Sequence, residues 1–139
     1  MTLAVRDGAL LYDESDHFLW QAFSWTEAGF PNLFVLYGPN TNVGHHSITF
    51  MLEQQAAYVA RALERMRAEG LRAIMPSRAA QDRYNEALQG RLSRTVWADP
   101  ACSSWYKTAD GRITQNWGSH TRDYAAQMAE VDLRAYETA

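Results

Sequence analysis

The sequence predicts an α+β architecture with one buried strand, a long amphipathic helix, a second helix and a C-terminal β-hairpin. Three observations predict it: an apolar run at 33–37 between turn residues, apolar residues at the helical period from Ile48 onward, and two short segments that flank a glycine-containing turn at 109–111. The chain has 139 residues, which is the size of one domain.

Composition excludes several classes of protein. The sequence is 47% hydrophobic and 21% charged, unlike disordered, collagenous or coiled-coil chains. Its 13 basic and 16 acidic side chains give a formal charge of −3, which is not typical of a nucleic-acid surface. The one cysteine, Cys102, excludes an internal disulfide framework and fits a reducing compartment. Because Arg6, Asp7 and Asp13 occupy the place of an apolar leader, we expect a cytoplasmic protein.

A stretch without charged side chains runs for 25 residues, from Ala28 to Leu52. Its length would allow a membrane-spanning helix, but prolines, glycines and asparagines interrupt it, so no membrane segment is expected. Within it, the sequence Leu-Phe-Val-Leu-Tyr at 33–37 lies between turn residues. A continuous apolar run of this length is typical of a strand buried on both faces, as in a parallel sheet.

The clearest predicted helix follows this stretch. Ser47 is a favourable N-cap, and Gly70 is a favourable residue just beyond the C-terminus, which predicts about 22 helical residues. Apolar residues recur every three or four positions, which is the helical period, at Ile48, Leu52, Ala56, Val59, Leu63 and Met66.

The rest of the chain predicts three further elements. A second helix starts after Pro76 and Ser77 and runs to about Thr95, with one side formed by Ala80, Tyr84, Leu88, Leu92 and Val96. The segments 102–108 and 112–117 form the hairpin around 109–111. The tail from Ser119, which contains Tyr124 and Met128, predicts one short helix.

The loop between the predicted strand and the long helix is a candidate binding site. The start of a helix presents unpaired N–H groups and a partial positive charge of about half an electron. The loop contains no lysine or arginine, so a fully charged phosphate would lack a counter-ion there. A delocalised negative charge, such as that on the pyrimidine side of a reduced flavin, is a better match. The alternative is that Gly38, Pro39 and Asn40 serve only to bend the backbone.

Two sets of residues resemble a known family. The first set consists of Gly-Phe-Pro-Asn-Leu-Phe at 29–34, Gly-Pro-Asn-Thr-Asn at 38–42 and Gly-His at 44–45. The second set consists of Ser-Trp-Tyr at 104–106, Gly-Arg at 111–112 and Trp117. In this order and spacing, residues from about Gly29 to Glu137 resemble the C-terminal portion of class B flavin-containing monooxygenases of the Baeyer–Villiger type. Residues 1–28 match poorly, so we expect a lead-in at 1–28 and a C-terminal FAD-adjacent segment at 29–139.

The resemblance implies part of a flavoprotein fold in which FAD and NADPH bind two separate doubly wound α/β domains. It implies oxygen insertion into ketones, aldehydes or heteroatoms, with the flavin and a small organic substrate as partners. Its expected cofactor-binding residues are Gly38, Pro39, Asn40, Thr41, His46, Ser47 and Ile48. Val43, Gly44 and His45 are expected on the substrate side.

No Gly-x-Gly-x-x-Gly sequence occurs in the chain, so neither pyrophosphate-binding turn is present. The family's longer fingerprint, with a histidine and a Trp-Pro pair, is also missing. We therefore expect the last part of a monooxygenase, with an incomplete catalytic set, no activity alone and weak FAD binding. Such a part would leave the 33–37 strand without sheet neighbours and apolar surface on the long helix exposed, which favours self-association or a partner chain.

Two other kinds of protein stay open: a non-catalytic remnant or subunit that completes a site with another chain, and a small ligand-binding domain without redox chemistry. A metal site is not expected, because the adjacent His45 and His46 point in opposite directions on an extended loop and the other histidines are scattered. Trp105, Tyr106 and Trp117 could form an aromatic wall for a substrate, although ordinary packing is favoured.

Overall fold

The computed structural model describes residues 28–44, 46–101 and 104–139, together with the backbone of two short strands near the N-terminus. The helices are α1 (Ile48–Glu69), α2 (Arg78–Leu92) and α3 (Thr121–Met128). The strands are β1 (Leu3–Val5), β2 (Ala9–Tyr12), β3 (Ile74–Pro76) and β4 (Tyr136–Thr138). Within the described residues, no helix combines the length and apolar character needed to cross a bilayer.

The long helix α1 has the predicted ends. Ser47 Oγ accepts a hydrogen bond from the Phe50 amide at 3.4 Å, and Gly70 ends the helix in the left-handed conformation with φ 68°. The apolar residues that mark the helical period are not the buried face of α1, except at Met66: the buried side chains are Met51, Gln55, Tyr58, Ala62 and Met66.

Polar partners explain which side of α1 is buried. Gln55 Nε2 donates to the Tyr124 hydroxyl of α3 at 2.7 Å, and the hydroxyls of Tyr58 and Tyr136 lie 2.5 Å apart. These contacts direct a face with polar atoms into the core, because the Gln55 amide and the Tyr58 hydroxyl each have a partner there. The more apolar stripe is left open, with Ile48 41% and Leu63 54% exposed. The expectation of exposed apolar surface on this helix is confirmed.

The second helix is shorter than predicted. It ends at Leu92, whose carbonyl accepts from the Thr95 hydroxyl at 2.6 Å and from the Thr95 amide at 3.0 Å. Val96 then belongs to a 3-10 turn, Val96–Ala98, and is 75% exposed, so its predicted place on the packed side of the helix is wrong. The short helix predicted in the tail is confirmed as α3, with Tyr124 and Met128 fully buried.

The strand predicted at 33–37 is not formed. Asn32 and Tyr37, at its two ends, have φ of 60° and 57°, and these left-handed conformations stop an extended strand on both sides. Among the described residues, the sheets are the antiparallel pairs β1–β2 and β3–β4, neither of which includes 33–37, and only Phe34 of this segment makes an isolated β-bridge. Leu36 and Tyr37 are 51% and 43% exposed, so the expected burial on both faces is also wrong.

Neither of the two sheets was predicted from the sequence. In the second, Ile74 pairs with Thr138 and Pro76 with Tyr136, which ties the end of the chain to the segment between α1 and α2. Strands of three residues contain too few positions for an alternating pattern to be visible.

The C-terminal hairpin is present as a narrow turn. Lys107 and Ile113 form an antiparallel bridge, the Thr114 amide donates to the Tyr106 carbonyl at 3.0 Å, and the Thr108 amide donates to the Arg112 carbonyl at 2.9 Å. Gly111 occupies the turn with φ 85°. Cys102 and Ser103, at the start of the predicted first arm, lie outside the described residues.

The buried Tyr124 makes the fold sensitive to alkaline pH. Burial, with a smaller contribution from nearby Tyr84, raises the pKa of Tyr124 above its ordinary value of 10.0, although the Gln55 hydrogen bond acts in the opposite direction. The unfolded chain therefore releases this proton first, and the stability provided by the neutral hydroxyl is lost as pH rises above about 10.

We expect the free energy of unfolding to fall by up to about 1.4 kcal/mol per pH unit above about pH 10 for this one group. Urea unfolding measured at about pH 9, 10 and 11 tests this, with Tyr124→Phe as the variant in which the slope becomes smaller. An equal slope in both proteins would show that Tyr124 is not the responsible group.

Candidate functional site

The predicted binding loop lies along the second arm of the hairpin. The Asn40 amide donates to the Thr114 carbonyl and the Asn42 amide to the Gln115 carbonyl, both at 3.0 Å. The Trp117 amide donates back to the Asn42 carbonyl at 2.7 Å. Asn42 and Asn116 thus form a parallel bridge, and the loop acquires a fixed backbone partner more than seventy residues away.

Asn40 holds this contact from inside the loop. It has φ 56° and is 3% exposed, and its Nδ2 donates to the carbonyls of Ile113 and Asn116, both at 2.9 Å. Asparagine tolerates the left-handed conformation better than most residues, and here its amide also satisfies two buried carbonyls. We call Asn40 and its two carbonyl partners the asparagine clamp.

Other polar groups of the loop are satisfied within the protein. Thr41 Oγ1 donates to the Gly38 carbonyl at 2.6 Å, and Gly38 and Pro39 are buried. The Tyr37 hydroxyl donates to Asn42 Oδ1 at 3.1 Å, and Asn42 Nδ2 donates to Asn116 Oδ1 at 2.7 Å. The other amide atom of Asn116, its Nδ2, is buried and has no hydrogen-bond partner among the described residues.

The predicted site residues therefore separate into two groups. Gly38, Pro39, Asn40, Thr41 and Val43 are buried and fix the shape of the loop. The exposed residues are Gly44, His46, Ser47 and Ile48, where the loop enters α1. His45 lies outside the described residues.

We call the exposed residues Gly44, His46, Ser47 and Ile48 the helix-start corner. Its electrostatics come from the backbone, because the first turn of α1 contains no acidic residue to offset the positive end of the helix dipole. Among the backbone N–H groups at the start of α1, that of Phe50 donates to Ser47 Oγ and is therefore already bonded. The corner therefore fits the electron-rich edge of a neutral or delocalised anionic ring better than a multiply charged phosphate.

The three aromatic residues considered as a substrate wall have different environments. Trp117 is 1% exposed and packs edge-on against Tyr124 with ring centroids 5.1 Å apart, which is ordinary core packing. Trp105 is 71% exposed, and its ring centroid lies 4.4 Å from that of Tyr106. Within the described part of the chain, no group of three histidine, cysteine or acidic side chains is placed to hold a metal ion.

Asn116 and Thr114 were not recognised from the sequence as partners of the loop. The only signal available was the abundance of asparagine in 32–42, which indicates turns but not their partners. Contacts between segments so distant in sequence leave no periodic pattern in either one.

No family model matches the chain. A Baeyer–Villiger monooxygenase of Pseudomonas aeruginosa is 44% identical over 112 residues, which cover 80% of this chain and 21% of the relative. A Baeyer–Villiger monooxygenase of Streptomyces coelicolor is 40% identical over 113 residues, which cover 81% of this chain and 22% of the relative. The FAD-binding monooxygenase ktnD of Aspergillus niger is 37% identical over 113 residues, which cover 78% of this chain and 19% of the relative. The chain thus spans about a fifth of the length of these curated relatives.

Solved structures show the same relationship. A crystal structure of OTEMO in complex with FAD and NADP matches all of this chain and 26% of that one, with a TM-score of 0.76 and 25% identity. Oxidized steroid monooxygenase bound to NADP matches 99% of this chain and 26% of that one, with a TM-score of 0.78. Its 22% identity supports the likeness of fold alone. The fold class, as a part of a larger flavoprotein fold, is therefore confirmed, although the described residues do not form the strand expected at 33–37.

Proposed function

Since the chain is homologous to a part of the Baeyer–Villiger monooxygenases, we propose that it supplies the C-terminal, FAD-adjacent part of such an enzyme. Residues 29–139 are this part, and residues 1–28 lead into it. The observation that carries the proposal is the helix-start corner, which is exposed and has no acidic, lysine or arginine side chain, while the loop before it is clamped to the hairpin. Rigid support for exposed backbone donors is what electrostatic stabilisation of a cofactor requires.

In the complete enzyme, the reduced flavin would activate dioxygen for insertion into a ketone, aldehyde or heteroatom, and NADPH would reduce the flavin. His46, Ser47 and Ile48 of this chain would direct backbone N–H groups at the pyrimidine edge of the ring. Gly38, Pro39, Asn40 and Thr41 would pass beside the ring and hold its orientation through their buried contacts. Gly44, which is exposed, would face the substrate together with His45, whereas Val43 is 4% exposed and would support the loop from the core.

An apolar surface supports contact with a larger body. On α1, Ile48 is 41% and Leu63 54% exposed, and Leu52 and Val59 are half-buried; Leu36, in the segment before this helix, is 51% exposed. Large exposed apolar side chains along one helix are typical of an interface rather than of a solvent-facing surface. We propose that the nucleotide-binding part of a monooxygenase covers this face, and that copies of the chain associate through it when that part is absent. The single cysteine supports a cytoplasmic location for this assembly.

The second candidate function is that of a non-catalytic subunit or remnant that completes a site on another chain. The lack of any Gly-x-Gly-x-x-Gly sequence favours it, because the pyrophosphate of a dinucleotide then has no binding turn in these residues. The two candidates share the same surface and differ in whether the assembled site turns over substrate.

A complementation experiment tests both candidates. The 139-residue chain is mixed with a form of the Pseudomonas aeruginosa relative that lacks the 112-residue matching segment. We expect the chain alone to bind FAD only weakly, and the mixture to retain FAD and to oxidise NADPH in response to a ketone. Ile48→Asp should abolish the effect by placing a charge on the apolar face, whereas Glu64→Ala, on an exposed position of the same helix, should not.

The outcomes separate the proposals. FAD retention without NADPH oxidation would favour the non-catalytic subunit. Sub-micromolar FAD binding by the chain alone would contradict the expectation of weak binding. A mixture of folded proteins that neither associate nor retain FAD would overturn the FAD-adjacent role.

A further inference from the structure

Met75 is the one methionine among the described residues whose side chain is not buried. It lies in the middle of β3 and is half-buried, while its two neighbours in that strand point to the opposite face and are more deeply packed. Met51, Met66 and Met128 are 0%, 7% and 0% exposed. Met1 lies outside the described residues. A small oxidant in solution therefore reaches the sulfur of Met75 more easily than the three buried sulfurs.

The sulfur of Met75 also accepts a hydrogen bond. The Gly29 amide, 46 residues away in sequence, donates to Met75 Sδ at 3.1 Å. Gly29 has φ 93°, a conformation that glycine adopts without strain. A thioether sulfur is a weak acceptor, and it has two lone pairs. The amide of Gly29 covers one of them and leaves the other available.

This hydrogen bond belongs to a set that fixes residues 28–32 beside β3. The Asn32 amide donates to the Ile74 carbonyl at 2.9 Å, and Asn32 Oδ1 accepts from the Ile74 amide at 3.0 Å. At the other end, the Ala28 amide donates to a glutamine side chain of α2 at 2.7 Å. Gly29 lies between these two oxygen-based anchors and bonds to a weaker acceptor than either of them uses. The position of Gly29 therefore depends on the chemical state of one sulfur atom.

We propose that Met75 is a site of reversible oxidation by hydrogen peroxide, and that its conversion to methionine sulfoxide loosens Gly29 from β3. In this step the free lone pair of the sulfur attacks one peroxide oxygen, an S–O bond forms and the O–O bond breaks. The proton of the attacked oxygen passes to the departing hydroxide, which leaves as water. The sulfur is oxidised by two electrons, and the peroxide is reduced by two.

Gly29 determines which side of the sulfur reacts. Because its N–H covers one lone pair, the oxygen adds at the other, and one of the two sulfoxide epimers forms in excess. The oxidised sulfur is a poorer acceptor than the thioether, and the side chain becomes polar. The hydrogen bond from Gly29 is therefore weakened, while the two bonds between Asn32 and Ile74 remain.

Oxidation of the 139-residue chain by hydrogen peroxide is followed by peptide mass spectrometry. We expect Met75 to react about tenfold or more faster than the three buried methionines. Trypsin cuts after Arg72 and Arg78 and releases Met75 in its own peptide, 73–78. Each of the two kinds of methionine sulfoxide reductase acts on one epimer, so one of them should reduce most of the sulfoxide in this peptide and the other little. A synthetic 73–78 peptide oxidised in the same way is the control and should contain both epimers in similar amounts.

Hydrogen exchange at the Gly29 amide, measured by NMR, tests the loosening. We expect exchange to become about threefold or more faster when Met75 is oxidised. Met75→Leu keeps a side chain of similar volume without the sulfur, so Gly29 should exchange rapidly in this variant and should not respond to peroxide. Met66→Leu, at a buried methionine, is the matched control and should respond to peroxide as the unaltered chain does.

Three results would each overturn the proposal: similar rates of oxidation for the four described methionines, equal amounts of the two epimers at Met75, or an unchanged exchange rate at Gly29 after Met75 is fully oxidised. The first two are measured on the unaltered chain, so they do not depend on the folding of any variant. Because no flavin is used, the outcome is independent of the complementation experiment.

Discussion

Replacing Trp117 by alanine is expected to lower the free energy of unfolding by about 3–5 kcal/mol, the cost of removing a large aromatic side chain from a core. Trp117 is 1% exposed, packs edge-on against Tyr124, and lies under the Arg91 guanidinium. Its Nε1 donates to the His120 carbonyl at the start of α3. The variant therefore loses packing, an aromatic contact and a hydrogen bond at once, at the point where the hairpin, α2 and α3 meet.

Urea unfolding followed by circular dichroism measures this loss, and Trp105→Ala serves as the matched control. Trp105 belongs to the same hairpin but is 71% exposed, so its removal should change stability by no more than about 0.5 kcal/mol. A small domain has only about 5–15 kcal/mol of stability in total, so Trp117→Ala could lose its cooperative transition altogether. Equal effects of the two substitutions would contradict the burial that distinguishes them.

Local signals predicted the helices of this chain, while long-range contacts decided which faces are buried. Ser47 and Gly70 act within a turn of their own helix, so the ends of α1 follow from the sequence. The buried side of α1 depends on whether Gln55 and Tyr58 find partners, and those partners are Tyr124 and Tyr136, about seventy residues later. Hydrophobic periodicity cannot anticipate such pairs, because it counts both residues as polar or ambiguous.

The segment 33–37 shows a different kind of failure. Its apolar composition predicts a buried strand, yet it is half-buried or exposed and has no place in either sheet. A strand buried on both faces needs neighbouring strands to accept its backbone hydrogen bonds. The chain spans about a fifth of its relatives, so a composition suited to a larger sheet is consistent with the proposal that another body completes it.

The candidate site was predictable in kind but not in arrangement. The lack of charge in 38–44 and the Ser47 cap indicated a helix start without charged side chains, and the structure exposes Gly44 and Ser47 at one corner while 38–41 are buried. The support of this corner was not predictable, because Asn40 bonds to carbonyls of Ile113 and Asn116 that any residue type would present. Backbone acceptors carry no sequence signature, so the asparagine clamp is visible only in three dimensions.

Asn40→Ala is expected to lower the free energy of unfolding by about 3–4 kcal/mol. The loss of two buried hydrogen bonds accounts for about 1 kcal/mol each, and an alanine at φ 56° adds about 1–2 kcal/mol of backbone strain. Asn40→Gly separates the two causes, since glycine adopts the left-handed conformation without strain but cannot replace the amide donors. Its stability should therefore lie between those of the alanine variant and the unaltered chain.

The same pair of variants tests whether the clamp positions the helix-start corner for its proposed role. In the complementation mixture, both variants should retain less FAD than the unaltered chain, since both release the loop from the hairpin, even under conditions where Asn40→Gly is fully folded. A glycine variant that is folded and retains FAD normally would limit Asn40 to stability. Equal stability of the alanine and glycine variants would instead show that the left-handed conformation at this position carries no strain, and that the hydrogen bonds to Ile113 and Asn116 account for the whole effect.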